Sequence, residues 1–307
     1  MKNWVKILGY FGAGIVFFLF FLLWTFPYDV LKTRILNQIE DSLGGQYRLK
    51  VQSMSASILW GFTFKNVEVI KKDEGKDVVL LKSPKFRVNP SFLALMSHNT
   101  KLSFMVLVGK GELSGTYRDS TAESSLSLDF DDLNLADLKF LSELYNINIK
   151  GMINGTYAMT SNKKDASKNS GKVDLTLSNF TLDPIKFRMD PSSPESEMTI
   201  PSIKLSSSKN SKFVGEFRRN DLVIKEFSLN GADIDLNLKG TLNTAPRFDD
   251  YRIDLSGNFK IKPELAKNIP ILALFEQQKQ PDGAYPLNFN GRLMKPGISV
   301  GAFRLPF

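Results

Sequence analysis

The chain has 307 residues, of which 42% are hydrophobic and 23% are charged. This composition is typical of a folded protein with an apolar core and excludes a mainly disordered chain. The absence of cysteine excludes disulfides and thiolate chemistry, and the formal net charge of +8 indicates only a mild bias towards anionic surfaces.

The first element is an uncharged apolar stretch at residues 7–28, ILGYFGAGIVFFLFFLLWTFPY. As a helix it would be about 33 Å long, close to the hydrocarbon thickness of a bilayer. We therefore predict an N-terminal transmembrane signal anchor over residues 1–28. The aromatic residues that suit its two membrane interfaces are Trp4, Tyr10, Trp24 and Tyr28. A cleaved signal peptide is the competing interpretation, but the stretch exceeds a usual h-region and no Ala-x-Ala-like site follows it.

Charge alone does not orient this anchor. Lys2, Lys6 and the amino terminus on one side are balanced by Lys32 and Arg34 on the other. Because the chain continues for about 280 residues without a second span, we predict that residues 29–307 lie outside the cytoplasm.

The segment after the anchor has the four-residue spacing of an amphipathic helix, with Leu31, Ile35, Ile39 and Leu43 on one stripe before Gly44-Gly45. It can either cap a sheet or lie on a membrane. From residue 46 onward the apolar period becomes two, which predicts short antiparallel strands. The alternating pairs are Phe62 and Phe64, Val67 and Val69, Val78 and Leu80, and Phe86 and Val88. PSFLALM at 90–96 predicts a short helical break.

An internal repeat follows. LSLDFDDLNLADLKF at 126–140 and VDLTLSNFTLDPIKF at 173–187 place apolar residues at the same positions, 47 residues apart. Related strand starts occur as LSGTY at 113–117, INGTY at 153–157 and LKGTL at 238–242, with a weaker copy, LNFNGRL, at 287–293. Recurrence of this kind predicts strand-turn-strand units in an array, each hiding its apolar side against its neighbours. The residues predicted to line a shared apolar groove are Leu126, Leu128, Phe130, Val173, Leu175, Leu177, Ile234, Leu236 and Leu238.

The predicted fold is therefore mainly β, a curled antiparallel sheet of repeated units with a few short helices. Its β-rich domain covers 29–307, with an N-terminal module at 29–160 and a C-terminal repeat module at 173–307. Polar runs predict loops at 161–172 and 206–212 and an irregular segment at 190–201. Helices are predicted at 135–145, with Asn134 as the N-cap, and at 263–278.

No residue pattern predicts catalysis, a cofactor or a metal. His98 is the one histidine in the sequence, and we interpret it as a loop residue. GKGELSG at 109–115 lacks the Lys-Ser or Lys-Thr of a phosphate loop, so its glycines indicate a turn. Two acidic clusters, Asp129 with Asp131 and Asp132, and Asp233 with Asp235, alternate with apolar residues and predict the wet face of strands. Basic residues are scattered along the sequence, which argues against a nucleic-acid partner.

Several stretches carry a resemblance to known families. SMSASILWGFTFKNVEVIKKD at 53–73 and LLKSPKFRVNPSFLALM at 80–96 resemble the amino-terminal module of AsmA-like proteins. FPYDVLKTRI at 26–35, EFSLNGADIDLNLKGTLNTAPR at 226–247 and YPLNFNGRLMKPGI at 285–298 resemble the related type II secretion system protein N family, GspN. The resemblance implies a single-pass inner-membrane protein of a Gram-negative bacterium with a groove-like periplasmic β-sheet, and it transfers no catalytic residue.

Two functional hypotheses follow from these observations. The first is a non-enzymatic accessory component of the type II protein secretion system, whose partners are the inner membrane and other components of that machine. The second is an AsmA-like protein that handles phospholipid acyl chains or serves outer-membrane biogenesis. An enzyme is the weakest alternative, because nothing in the sequence pairs a nucleophile with a base.

Overall fold

The computed structural model describes Thr33, Asn37 and Ala94 together with residues 47–57, 61–73, 76–91, 99–139, 142–143, 148–188, 197–207, 210–219, 221–245, 250–267, 270–293 and 295–304. Most of these residues are in antiparallel strands, and the helices among them are few and short. The fold is therefore mainly β, as the period-two pattern predicts. The chain divides into two compact units, Met1–Asn89 and Pro90–Phe307.

The first unit is an antiparallel meander of β1 (Tyr47–Ser57), β2 (Gly61–Asp73) and β3 (Lys76–Pro90). Its buried apolar side chains include Phe64, Ile70 and Leu80, and the rings of Phe64 and Phe86 stack with centroids 5.7 Å apart. The strands predicted from the alternating pairs between Phe62 and Val88 are confirmed.

The second unit is an antiparallel sheet whose strand order follows chain order with one exception. Its strands are β4 (Thr100–Val108), β5 (Gly111–Asp119), β6 (Glu123–Asn134), β7 (Ile149–Asn162), β8 (Ser170–Leu182), β9 (Ile185–Arg188), β10 (Glu197–Ile200), β11 (Ile203–Lys204), β12 (Ser211–Arg218), β13 (Asp221–Asn230), β14 (Ile234–Asn243), β15 (Arg252–Ile261), β16 (Tyr285–Arg292), β17 (Lys295–Val300) and β18 (Phe303–Arg304). β8 pairs with β12, while β9 and β10 pair with each other and β11 adds two residues beside β8. From β12 the order continues to β18 without returning to β4.

The predicted strand-turn-strand repeat is present as hairpins. LSGTY, INGTY and LKGTL lie in β5, β7 and β14, and each of these strands pairs with the strand that follows it. The glycine of each copy lies opposite a leucine: Gly115 opposite Leu128, Gly155 opposite Leu175, and Gly240 opposite Leu255. The copies therefore share their register as well as their residues.

The two copies that lie 47 residues apart also share a backbone irregularity. In β6 the register shifts between Phe130 and Leu133, and Asp132 has a φ of 47°. In β8 the residue 47 positions later, Asn179, has a φ of 56°, and it precedes the buried Phe180. Asn and Asp adopt this left-handed conformation more readily than other non-glycine residues. The extra residue at the bulge shifts the alternation of side chains by one position. Leu133 and Phe180 therefore point inward, and both are buried.

The helix and loop predictions are partly wrong. The polar run 161–172 is not one loop, because β7 continues to Asn162, β8 begins at Ser170, and a 3₁₀ turn fills Ala166–Lys168. The run 206–212 ends inside β12, and Glu197–Ile200 forms β10 within the segment predicted to be irregular. The predicted helix at 135–145 is a 3₁₀ turn at Leu135–Asp137, capped by the Asn134 side chain as predicted, with helical residues 142–143.

The predicted helix at 263–278 is divided into two short pieces. One is an α-helix, α1 (Pro263–Ala266), and the other is a 3₁₀ helix at Pro270–Gln278. Pro270 explains the division, because proline lacks the amide hydrogen that a continuous helix would need there.

Candidate functional site

The nine residues predicted to line a groove all lie on one side of the sheet of the second unit. Leu128 of β6 is opposite Tyr157 of β7, which is opposite Val173 of β8. In the next row, Leu175 of β8 connects through the opposed pairs of β12 and β13 to Leu238 of β14. Side chains of directly opposed residues in an antiparallel sheet project to the same side. Alternate residues of one strand also share a side, so the remaining predicted residues of β6, β8 and β14 lie on this side as well.

The same side is apolar in every strand that the register connects. The row through Leu128 contains Phe104, Gly115, Leu128, Tyr157, Val173, Gly215, Ile224, Gly240, Leu255, Phe289 and Ile298. We call this side of the β4–β17 sheet the apolar face. It is built only from aliphatic, aromatic and glycine residues in this row, so the pattern predicted for individual units extends across the described strands.

The apolar face is covered to different degrees along the sheet. In β8 and β14, Val173, Leu177 and Leu238 are buried within hydrophobic clusters. In β6, Leu126 and Leu128 are only half-buried, as is Phe130. Each of these three residues lies outside both clusters. The β6 part of the face is therefore the part of the predicted site that lies outside the two buried clusters.

Residues that sequence analysis did not include complete the covered half of the face. Phe213 of β12 and Phe227 of β13 pack edge to face with ring centroids 5.6 Å apart, and Tyr157 packs in the same way against Phe217 at 5.6 Å. Burial raises the pKa of Tyr157, whose hydroxyl donates to the sulfur of Met159 at 3.3 Å. The alternation in SKFVGEFR is the pattern that could have predicted β12, but the polar run at 206–212 predicts a loop that overlaps its first residues.

The 3₁₀ helix at Pro270–Gln278 lies over the apolar face near the carboxyl end of the sheet. Its Phe275 is only 4% exposed and belongs to the same hydrophobic cluster as Val173 and Leu238. A polar contact holds the helix, because the Tyr285 hydroxyl donates to Glu276 at 2.9 Å. This helix therefore fills part of the face with the chain's own side chains.

Charges at this helix also favour the observed arrangement. Lys279 donates to Glu276 at 2.8 Å, and this hydrogen bond lowers the pKa of Glu276, with the bond from Tyr285 adding to the effect. The same pairing raises the pKa of Lys279. Burial, followed by the bond to Glu276, raises the pKa of Tyr285. The carboxylate is thus stabilised in its charged form by two donors.

The opposite side of the sheet is polar. Asp129 and Asp131 are exposed there, as predicted for the wet face of a strand. Asp235 forms an ion pair with Lys262, and the Asp233 carboxylate accepts a hydrogen bond from the Lys204 amide at 2.7 Å. These carboxylates have structural partners or face solvent. Within the ranges that the structure describes, no group of three or more His, Cys, Asp or Glu side chains could hold a metal ion.

Several predicted positions fall outside the described residues. These are the span at 7–28, its interface residues Trp4, Tyr10, Trp24 and Tyr28, and the loop residue His98. Among the helices that are described, none is both long and apolar enough to cross a bilayer. Gly109 and Lys110 form the turn between β4 and β5, as predicted for the glycines of GKGELSG.

Comparison with known proteins adds no relative. No family model, no curated protein and no solved structure matches this chain.

Proposed function

We propose that this chain is a non-enzymatic protein of a bacterial inner membrane whose apolar β face accommodates the acyl chains of lipids. One observation carries the proposal, namely that every position in the cross-strand row through Leu128 is apolar or glycine from β4 to β17. An apolar surface of this extent requires a cover, because monomeric proteins rarely expose large contiguous apolar patches. Acyl chains are a suitable cover where the protein's own side chains leave the face half-buried.

The transmembrane span predicted at the N-terminus bears on where the β-rich part would meet lipid. An anchor at residues 1–28 would hold the β-rich part beside a bilayer, and the proposed location of that part is the periplasm. A reporter that is active only in the periplasm, fused after Phe307, should be active. An inactive reporter with normal expression would reverse the proposed topology.

A matched pair of substitutions tests the lipid proposal. Leu128 lies on the apolar face of β6 and is half-buried, whereas its neighbour Ser127 lies on the polar face and is exposed. Leu128→Glu places a charge where acyl chains would lie, and Ser127→Glu places the same charge in water. Lipid extracted from the detergent-purified full chain should be found by mass spectrometry in the wild type and the Ser127 variant, and strongly reduced in the Leu128 variant.

Two outcomes would contradict the proposal. One is wild-type protein that carries no lipid after purification in a mild detergent. The other is equal lipid content in the two variants, provided that both retain the wild-type circular dichroism spectrum.

A second candidate function is an accessory role in type II protein secretion, which the resemblance of 226–247 and 285–298 to the GspN family favours. These segments contribute to β13, β14, β16 and β17. The proposed partners are other components of the secretion machine. Deletion of the gene should lower export of folded enzymes into the medium, and restored export on complementation would support the role. Normal export in the deletion strain would exclude it, while leaving the lipid proposal unaffected.

A further inference from the structure

A row of polar side chains crosses the sheet of the second unit at one rim, and we call it the rim row. In each strand that the register connects from β4 to β17, it lies three positions from the apolar row through Leu128, and this odd spacing places it on the polar side. Its cations are Lys101, Arg118, Arg218, Arg252, Arg292 and Lys295. Its other members are one acid, Asp221, and the hydroxyl or amide residues Ser125, Thr160, Ser170 and Asn243.

Positive charge on the polar side is concentrated in this row. The next row, two positions further from the rim, contains one cation, Lys172, and two acids, Glu216 and Asp254. The turns and strand ends beyond the rim row carry the cations Lys163, Lys164, Lys168 and Arg219. They also carry the acids Asp119, Glu123, Asp165 and Asp250, so within the described ranges they add no net charge. The excess of cations therefore follows a line across the strands.

The protein neutralises little of the charge in the rim row. Arg218 pairs with Glu216 at 3.2 Å, and Asp221 accepts a hydrogen bond from the Asn243 side chain at 2.9 Å. The other five cations of the row have no side-chain ion pair among the residues that the structure describes. All of these five except Lys101 are exposed. The row therefore presents free cations to solvent.

Like charges are directly opposed at both ends of the rim row. Lys101 of β4 is opposite Arg118 of β5, and Arg292 of β16 lies between Arg252 of β15 and Lys295 of β17. Like charges in directly opposed positions are unfavourable. An anionic ligand that bridges these cations would relieve their repulsion, so the row favours a ligand with several negative charges.

A polar cleft of about 460 Å³ lies at the β4 end of the rim row. Lys101, Arg118 and Ser125 of the row line it, together with Asn99 and Glu123. Ala94 is the one apolar residue among the described residues that line the cleft. Its lining thus consists almost entirely of hydroxyl, amide and charged groups, which suits a ligand rich in hydrogen-bonding groups.

We infer that the rim row binds a linear anionic polysaccharide. Its serine, threonine and asparagine side chains can bond to sugar hydroxyls between the cations that pair with acidic groups. The row and the cleft contain no aromatic residue, whereas single-stranded nucleic acid stacks its bases on aromatic rings. Protein partners are bound chiefly through buried aromatic or aliphatic anchors, which the row also lacks. The inference goes beyond the proposed function and does not depend on it, because it uses the opposite side of the sheet.

The first test uses the length of the ligand. Adjacent strands are about 4.8 Å apart, so the row extends for about 48 Å across its strands. Fluorescently labelled heparin oligosaccharides are titrated with the full chain in a neutral detergent, and binding is followed by fluorescence anisotropy. A decasaccharide should bind at least about tenfold more tightly than a tetrasaccharide, because it reaches more of the cations. Equal affinities would mean that no extended row is used, and would overturn the inference.

The second test uses substitutions in the row. Arg118→Gln, Arg252→Gln and Arg292→Gln combined should weaken decasaccharide binding at least about tenfold at low salt. They should also lower the slope of log K against log salt by about 2, at about 0.7 for each lost contact. The matched control combines Lys212→Gln, Lys239→Gln and Lys260→Gln, which removes the same charge from exposed positions outside the row. This control should bind like the wild type.

A DNA duplex and a polyglutamate peptide, each of the same net charge as the decasaccharide, identify the class of ligand. Both should bind the wild type at least about tenfold more weakly than the decasaccharide. Equal binding of either would overturn the assignment to a polysaccharide. The inference is also wrong if the wild type does not bind the decasaccharide, or if the row and control variants lose affinity equally while keeping the wild-type circular dichroism spectrum. None of these results would affect the lipid proposal.

Discussion

The most direct test of the repeat is alanine substitution at its equivalent glycines. Gly155 has a φ of 134° and Gly240 a φ of 150°, a region that residues with a Cβ rarely adopt. A Cβ on Gly155 would overlap the Asp174 carbonyl oxygen and lie 2.9 Å from the Leu175 Cα. A Cβ on Gly240 would meet Asp254 and Leu255 in the same way. Both substitutions should therefore be strongly destabilising, and to a similar extent.

The size of the effect can be worked out from two terms. The unfavourable dihedral costs about 1–3 kcal/mol. Overlap with backbone of the neighbouring strand adds about 1–3 kcal/mol, the usual range for overpacking. Gly291 provides the control, because its φ is 100° but a Cβ there would have no neighbour within 3.9 Å. Gly291→Ala should show the dihedral cost alone, about half the loss expected for Gly155→Ala.

Thermal unfolding of the full chain in detergent, followed by circular dichroism, measures these losses. The two terms together are about 2–6 kcal/mol, so at about 2–4 °C per kcal/mol for a domain of this size Gly155→Ala and Gly240→Ala should each lower the midpoint by about 4–24 °C. Gly291→Ala should lower it by about half as much. The reasoning would be refuted by a Gly155 variant at least as stable as the Gly291 variant.

Three further predictions concern the covered half of the apolar face. Phe275→Ala should cost about 3–5 kcal/mol in unfolding free energy, because the ring is buried, and an unchanged thermal midpoint would show that the helix does not cover the face. Leu255→Asp should lower the free energy of unfolding by about 3–5 kcal/mol, because it leaves an unpaired charge in the core. Ser256→Asp, on the exposed side, should change it by no more than about 0.5 kcal/mol. Equal losses of unfolding free energy in urea would contradict the sides assigned to these two residues. The hydrogen bond from Lys279 lowers the pKa of Glu276, so its contribution is present above the ordinary value of 4.5 and is lost as pH falls through the lowered pKa. Glu276→Gln should therefore flatten the decline of the thermal midpoint below about pH 5, and an unaltered pH profile would argue against this contact.

The repeat itself was predictable from the sequence because strand geometry is local. Period-two alternation assigned Leu126, Leu128 and Phe130 to one side, and the 47-residue offset aligned Leu133 with Phe180. The sequence did not show why the alternation changes phase before those two residues. The structure supplies the reason, since the left-handed residues Asp132 and Asn179 provide the extra position.

Polar strand ends were the main source of error. Residues 161–172 have the composition of a loop, yet strand pairing continues to Asn162 and resumes at Ser170. At the rim of a sheet, side chains on both sides can reach water, so the alternation that marks a strand disappears although the backbone hydrogen bonds persist. Hydrophobic pattern alone therefore underestimates the length of such strands.

The cover over the carboxyl-terminal part of the face was predictable only in outline. PELAKNIPILALFEQQ indicates apolar helical residues, and Pro270 explains why they form two short helices. Phe275 joins a hydrophobic cluster whose other members lie on strands as distant in the sequence as β8, and such tertiary contacts leave no local pattern.

The strand order has a consequence for how the molecule acquires its structure. Most strands of the second unit pair with the strand made immediately before them. The exceptions lie between β8 and β12, where β9 pairs with β10 and where β11 and β12 both pair with β8. Short sequence separation between contacting segments favours rapid folding. A chain synthesised from its amino terminus can therefore add hairpins one at a time as they are made. The chain between Leu182 and Ser211 must be synthesised before β12 can pair with β8, so β12 is the step at which folding would wait for synthesis.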